Sequence, residues 1–160
     1  MRDRKSRGDG RIRRTNDRTL AFWNELRGDR AFPSPDDVTA STTVDSAEVE
    51  DLRPNVFVVY FNGQPLDSVF TFASEVLESV CGISTAHTRV ADSLPSPLCN
   101  SMLSFVRALA KARKPIAVSS SFATENGIEL LYRSIYLPLS VDQDKVEHLL
   151  GAFSFKETSV

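Results

Sequence analysis

Ile128-Glu-Leu-Leu-Tyr-Arg-Ser-Ile-Tyr-Leu-Pro-Leu139, the polar link Ser140-Val-Asp-Gln-Asp-Lys145, and Val146-Glu-His-Leu-Leu-Gly-Ala-Phe-Ser-Phe155 together form the most apolar and β-prone part of the chain. They read as two strands in hairpin connection. Side chains alternate between the faces of a strand. In the first strand one face therefore carries Leu131, Arg133, Ile135, Leu137 and Leu139, and the other Leu130, Tyr132, Ser134 and Tyr136. If the strand is central, both faces are covered. Parity alone leaves open which face meets which cover.

Working outward, Asn126-Gly127 is a hairpin turn that joins this strand to Ile116–Thr124. The C-terminal part is thus a three-stranded antiparallel meander. Before it, Leu98–Arg113 is the clearest helix, with Leu98, Met102, Phe105, Val106 and Leu109 at intervals of three to four. Pro115 stops it. Lys111, Arg113 and Lys114 at its end match the helix dipole, which needs no bound phosphate to explain them. Further back, Val56–Phe61 is an apolar strand, Asn62-Gly63 a turn, Val69–Phe72 a return strand, and Ser74–Cys81 a short helix ahead of Gly82. Val90–Leu94 is expected to form a single helical turn.

At the N-terminal side, Asn16–Arg27 reads as a short helix with Leu20, Trp23 and Leu26 on one stripe, ended by Gly28. The stripe suits docking of the helix on the body; the alternative is a contact with a second subunit. Residues 1–14 are polar and basic and are expected to be a disordered tail. Ala31–Glu50 is expected to be a connector in which Pro33 and Pro35 prevent helix, with a helical turn near Ser46–Leu52.

Composition bounds the function. The chain has 160 residues, 41% hydrophobic and 25% charged, with a net charge of −2, as expected for one globular domain. Residues 1–18 carry a net +5, leaving −7 on the body. A basic arm of this kind suits nucleic acid or an anionic surface, or serves only for solubility. No stretch is long enough to span a membrane, and no apolar run follows the basic residues as in a signal peptide, so a cytoplasmic setting is expected. Cys81 and Cys99 read as small buried hydrophobes. His87 and His148 have no partner at metal-ligand spacing, and Asp142/Asp144 and Glu48/Glu50 read as solvated carboxylates. There is no phosphate loop and no nucleophile elbow. An enzyme is not expected.

Two strands, short helices, one long helix and a three-strand meander resemble the layout of a PAS domain. Phe22-Trp23-Asn24-Glu25-Leu26-Arg27-Gly28-Asp29-Arg30 with Pro33-Ser34-Pro35-Asp36 is similar to the opening of a single-domain bacterial PAS family. Leu52-Arg53-Pro54-Asn55-Val56-Phe57-Val58 resembles the approach to its first strand. Arg133–Leu139 and Leu149-Leu150-Gly151-Ala152-Phe153-Ser154-Phe155 resemble its last two strands. The chain departs from that pattern at Phe72-Ala73-Ser74-Glu75 and in the long Thr39–Asp51 connector. The resemblance implies an α+β fold: a five-stranded antiparallel sheet in the order 2-1-5-4-3, with helices on one face and an N-terminal flanking helix. The expected division is a tail (1–15), a flanking helix (16–30), a linker (31–52) and a PAS-like domain (53–157).

The resemblance also implies a non-enzymatic sensory or regulatory module in signal transduction. Carrying no output domain, it would work through a signalling protein partner or as a homodimer, with Leu20, Trp23 and Leu26 as the interface. A small apolar ligand would sit at Tyr132, Ser134, Tyr136, Met102 and Val106. The alternative function is a nucleic-acid-associated regulator using the basic arm. The flavin-linking motif Asn-Cys-Arg-Phe-Leu of light-sensing PAS domains is absent, and Cys81-Gly82-Ile83 and Cys99-Asn100-Ser101 do not replace it. His87 lies where some PAS domains carry a haem ligand, but haem is not expected, and the cofactor is left open.

Overall fold

A computed structural model of the chain describes residues 6–42, 51–61, 64–72, 74–81, 88–124 and 126–157. Five antiparallel strands form one sheet: β1 Val56–Tyr60, β2 Val69–Phe72, β3 Ile116–Ala123, β4 Glu129–Leu139 and β5 His148–Glu157. Their spatial order is β2-β1-β5-β4-β3, as the sequence pattern implies. β4 pairs along its length with β3 on one side and β5 on the other, with Ser134 opposite both Val118 and Phe153. β5 is flanked by β1, with Gly151 opposite Phe57.

Three helices, α3 Glu75–Cys81, α4 Val90–Ser93 and α5 Ser96–Ala112, belong to one side of the sheet. Two others, α1 Ser6–Arg27 and α2 Pro35–Thr42, cover the opposite side. The core therefore has two layers that share the sheet. One holds Phe57, Phe70, Met102, Val106, Tyr132, Tyr136 and Phe153. The other holds Trp23, Val38, Ile135, Leu137, Leu139 and Leu150. The parity question is thus resolved: the tyrosine face of β4 meets α5, and the aliphatic face meets α1.

Pro138 shows how closely the two covers depend on the strand. A proline in a central strand normally deletes a ladder bond. Thr124 donates its backbone N–H to the carbonyl of Ile128, and ladder bonds alternate along a strand. Even-numbered residues of β4 therefore direct their backbone groups toward β3. The ladder with β3 ends at Ile116 opposite Tyr136, so Pro138 lies beyond it and its missing N–H costs nothing. Its carbonyl, which would otherwise be stranded, accepts the indole Nε1–H of Trp23 at 2.8 Å. Leu20 and Leu26 pack beside that contact. The stripe of Leu20, Trp23 and Leu26, weighed as a surface for a second subunit, here covers the chain's own sheet.

Three expectations change. The N-terminal helix starts at Ser6 rather than Asn16, so the stretch up to Arg14 expected to be disordered is helical from Ser6 on. Arginine is a good helix former, and extending a helix already held by its docked turns is far easier than nucleating one. Second, Pro35 starts a helix instead of preventing one. At the first helical position a proline lacks only an N–H that would be unpaired anyway. Ser34 Oγ accepts the Asp37 N–H while the Asp37 carboxylate accepts the Ser34 N–H, a reciprocal cap. Arg30 pairs with the same carboxylate. That backbone bond from Ser34, with the Arg30 guanidinium, holds the Asp37 carboxyl below its usual range. Third, the last strand begins at His148, two residues after Val146, and runs on to Glu157.

The connector is an ordered wrap as far as Thr42. Gln143 bonds both the N–H and the carbonyl of Phe32 through its side chain, and Ser140 donates its N–H to the carbonyl of Pro33. Most of the helical turn expected at Ser46–Leu52 lies outside the described residues.

Replacing Trp23 by Phe removes the bond to Pro138 and strands a buried carbonyl. We expect a loss of about 1–3 kcal/mol in urea unfolding. Ser34→Ala removes the cap of α2 and should cost about 1 kcal/mol in the same measurement.

Candidate functional site

The layer between the sheet and α5 is built from aromatic rings. α5 buries Leu98, Cys99, Met102, Val106 and Leu109 toward the sheet, because those positions recur on one helical face. From the sheet, Tyr136 stacks on Phe105 with ring centroids 5.5 Å apart, and Phe57 meets Tyr136 edge-on at 6.4 Å. Phe57 also meets Phe70 edge-on at 5.8 Å. Tyr132 stacks on Phe153 and meets Phe122 edge-on. Such offset and edge arrangements are the favoured geometries of aromatic pairs.

Gly151 makes the arrangement possible. It lies between Phe57 on β1 and Tyr136 on β4 in the sheet. A Cβ at this position would stand 2.2 Å from Cζ of Phe57. The Phe57 ring thus lies over the glycine, in the space a side chain would occupy. A lone glycine inside a strand is the sequence signal of such a close approach.

Into this apolar layer β4 projects three hydroxyls. Tyr132 is within 3.3 Å of Ser101 Oγ. Ser134 and Tyr136, by contrast, are fully buried, and among the described residues neither hydroxyl has a hydrogen-bond partner outside the pair they form with each other. Burial pushes the Tyr136 phenol far above its ordinary value, an effect the adjacent Ser134 hydroxyl partly offsets. It stays protonated and offers both a donor and an acceptor. The structure therefore brings the five residues singled out from the sequence, Tyr132, Ser134, Tyr136, Met102 and Val106, into one layer. The sequence reading missed Phe57, Phe105 and Gly151, which close that layer.

The remaining titratable candidates fall elsewhere. His148 is on the opposite face, its ring 4.7 Å from that of Tyr60. Burial lowers its pKa, partly offset by Glu147 and Asp36. The Cys99 thiol donates to the carbonyl of Val90 at 3.7 Å, and its pKa is raised by burial and by Asp92. His87 and the Cys81 side chain lie outside the described residues.

A family model for the PAS domain matches residues 12–154. The chain belongs to the PAS domain family, whose members are sensory and regulatory modules. Solved structures of similar shape include the PAS domain of BvgS from Bordetella pertussis, at 13% identity and a TM-score of 0.48, covering 72% of this chain and 89% of that one. The PAS-B domain of Drosophila melanogaster Cycle, solved with bound ethylene glycol, is similar at 10% identity and a TM-score of 0.44, covering 62% of this chain and 99% of that one. The light-state LOV domain of the blue-light photoreceptor Aureochrome1 is similar at 14% identity and a TM-score of 0.46, covering 67% and 83%. No curated protein sequence matches.

Gly151→Ala should destabilise the fold by about 1–3 kcal/mol through overpacking against Phe57. In the Phe57→Leu background the same change should cost less, and a double-mutant cycle in urea reads the coupling. The lowered pKa of His148 has a pH signature. The unfolded chain binds the proton more readily, so stability is full above about 6.5 and falls as pH drops through the folded value. His148→Gln should flatten that part of the stability curve measured between pH 7.5 and 5.

Proposed function

We propose that the chain is a non-enzymatic regulatory module that senses a small, mainly apolar molecule and passes the signal to a protein partner. The observation that carries the reading is the pair of buried hydroxyls on Ser134 and Tyr136, which meet no partner beyond each other. A buried polar group with no hydrogen bond costs about 1–3 kcal/mol. A ligand with one polar group and an apolar body would relieve that cost while displacing side chains such as Phe105 or Met102. Tyr132, Ser134 and Tyr136 would hold its polar end, and Met102 and Val106 its apolar body.

β4 supplies the route to a partner. The strand that carries Tyr136 on the α5 side carries Pro138, whose carbonyl holds Trp23 of α1. A shift of β4 on ligand entry would reach α1 through that bond. A partner would then read the position or exposed side of α1, with Leu20, Trp23 and Leu26 as the coupling surface.

Native mass spectrometry of the purified protein, set against its denatured mass, tests the reading. We expect a small-molecule adduct that is depleted in Tyr136→Phe and in Ser134→Ala. Both variants should unfold at the same temperature as the ligand-free wild type or higher, since each deletes an unsatisfied group. A wild-type protein without adduct, with both variants less stable than it, would contradict the proposal.

A further inference from the structure

The two edges of the sheet are treated differently. The outer edge of β2 is covered: Val69 bridges to Arg89, Phe70 donates its N–H to the carbonyl of Thr88, and Val90 donates to the carbonyl of Ser68. At the other edge, β3 runs in unbroken register with β4 from Ile116 to Ala123. Its even-numbered residues direct their backbone groups toward β4, by the same alternation that places Pro138. The N–H and C=O groups of Ala117, Ser119, Ser121 and Ala123 therefore point away from the sheet. Among the described residues none of them meets a backbone partner. Natural sheets protect such edges with charge, proline, a bulge or a cover. β3 has no charged residue and no proline, its ladder has no bulge, and Ala117, Ser119, Ser120, Ser121 and Ala123 are all exposed.

The strand is also a palindrome of residue polarity. Around Ser120 the sequence reads Ala117-Val-Ser-Ser120-Ser-Phe-Ala123. We infer that β3 pairs antiparallel with β3 of a second copy of this chain, about a two-fold axis at Ser120, joining the two sheets into one. In that register Ser120 faces its own counterpart, Ser119 faces Ser121, Val118 faces Phe122, and Ala117 faces Ala123. Serine faces serine, alanine faces alanine and apolar Val118 faces apolar Phe122, and no charge opposes another. Isologous pairing of this sort requires a self-complementary surface. The backbone agrees: the axis falls on a residue whose own groups are used by β4, flanked by Ser119 and Ser121, whose groups are free to exchange N–H···O bonds across it. Val118 and Ile116, only partly buried at present, would gain cover on the α5 side. The inference is independent of the ligand reading, which concerns the interior of the layer.

The test uses the full chain with Ser120→Lys and Ser120→Glu. Ser120 is exposed and its ladder groups stay with β4, so both variants should keep the wild-type circular dichroism and, at concentrations low enough for the wild type to be monomeric, its melting temperature. Each would set like charges directly against each other across the axis. Sedimentation velocity over a concentration series should show a dimer for the wild type and monomers for each variant. An equimolar mixture of the two variants should restore the dimer, as a heterodimer resolved by native mass. A monomeric wild type, leaving the edge to water or to another protein's strand, would overturn the inference. So would dimers that persist in both single variants, or variants that remain monomeric when mixed.

Discussion

β4 is buried on both faces, and that constraint governs the rest of the structure. An eleven-residue strand in mid-sheet cannot leave either row of side chains in water. One row, Tyr132 to Tyr136, is closed by α5. The other, Ile135 to Leu139, is closed by α1. The flanking helix is therefore part of the folding unit rather than an appendage, and its single tryptophan is the clasp. Trp23 fills the outer layer and supplies the one donor that the strand lacks where β3 ends. The end of the β3 ladder makes a proline tolerable at this point, and the tryptophan satisfies its carbonyl.

The two layers do different things. The outer one is aliphatic around Trp23, whose indole N–H is bonded to Pro138, and it too holds buried polar atoms without a partner, on Asn16, His148 and Ser154. The inner one is aromatic, with Phe57 laid over the bare backbone of Gly151 and two hydroxyls that meet no partner beyond each other. An interior that packs its rings this closely yet leaves polar groups unmet holds a cost that a bound molecule could remove. Strand β4 is common to both layers, so anything that rearranges Tyr136 acts on a backbone that also anchors α1. That shared strand gives a sensory module a short mechanical path, without any need for catalytic groups.

Much of this was legible in the residues. Periodicity alone located α5, and apolar runs separated by Asn-Gly turns located β1, β3 and β4, because burial on these elements is set by local pattern. The strand order came from resemblance, since pairing between distant strands leaves little local trace. Which face of β4 met which helix was hidden for a physical reason: both rows are apolar, and alternation distinguishes the rows without labelling their covers. Pro35 misled because proline acts in opposite senses at the first turn of a helix and inside it; Ser34 and Asp37, spaced as a cap, were the signal that distinguished the two. The start of α1 was obscured by Gly8 and Gly10 and by a polar composition that on its own would not hold a helix. Gly151 was visible as a glycine in a strand, but only the register with Phe57 shows what it accommodates. Of the candidate site, the five residues chosen on β4 and α5 do share one layer; Phe105 was on the apolar stripe of α5 but its stacking on Tyr136, and the entry of Phe57 from β1, are tertiary contacts that spacing does not encode.

Native-state hydrogen exchange tests the central claim, that α1 and β4 form one cooperative unit closed over both faces of the sheet. The amides of Thr19 through Leu26 should exchange only through the same global opening that exposes the amides of β4 between Tyr132 and Leu137, with matching free energies and the same denaturant dependence. If the α1 amides exchange through a separate, much easier opening while β4 remains protected, the outer cover is dispensable and the account fails.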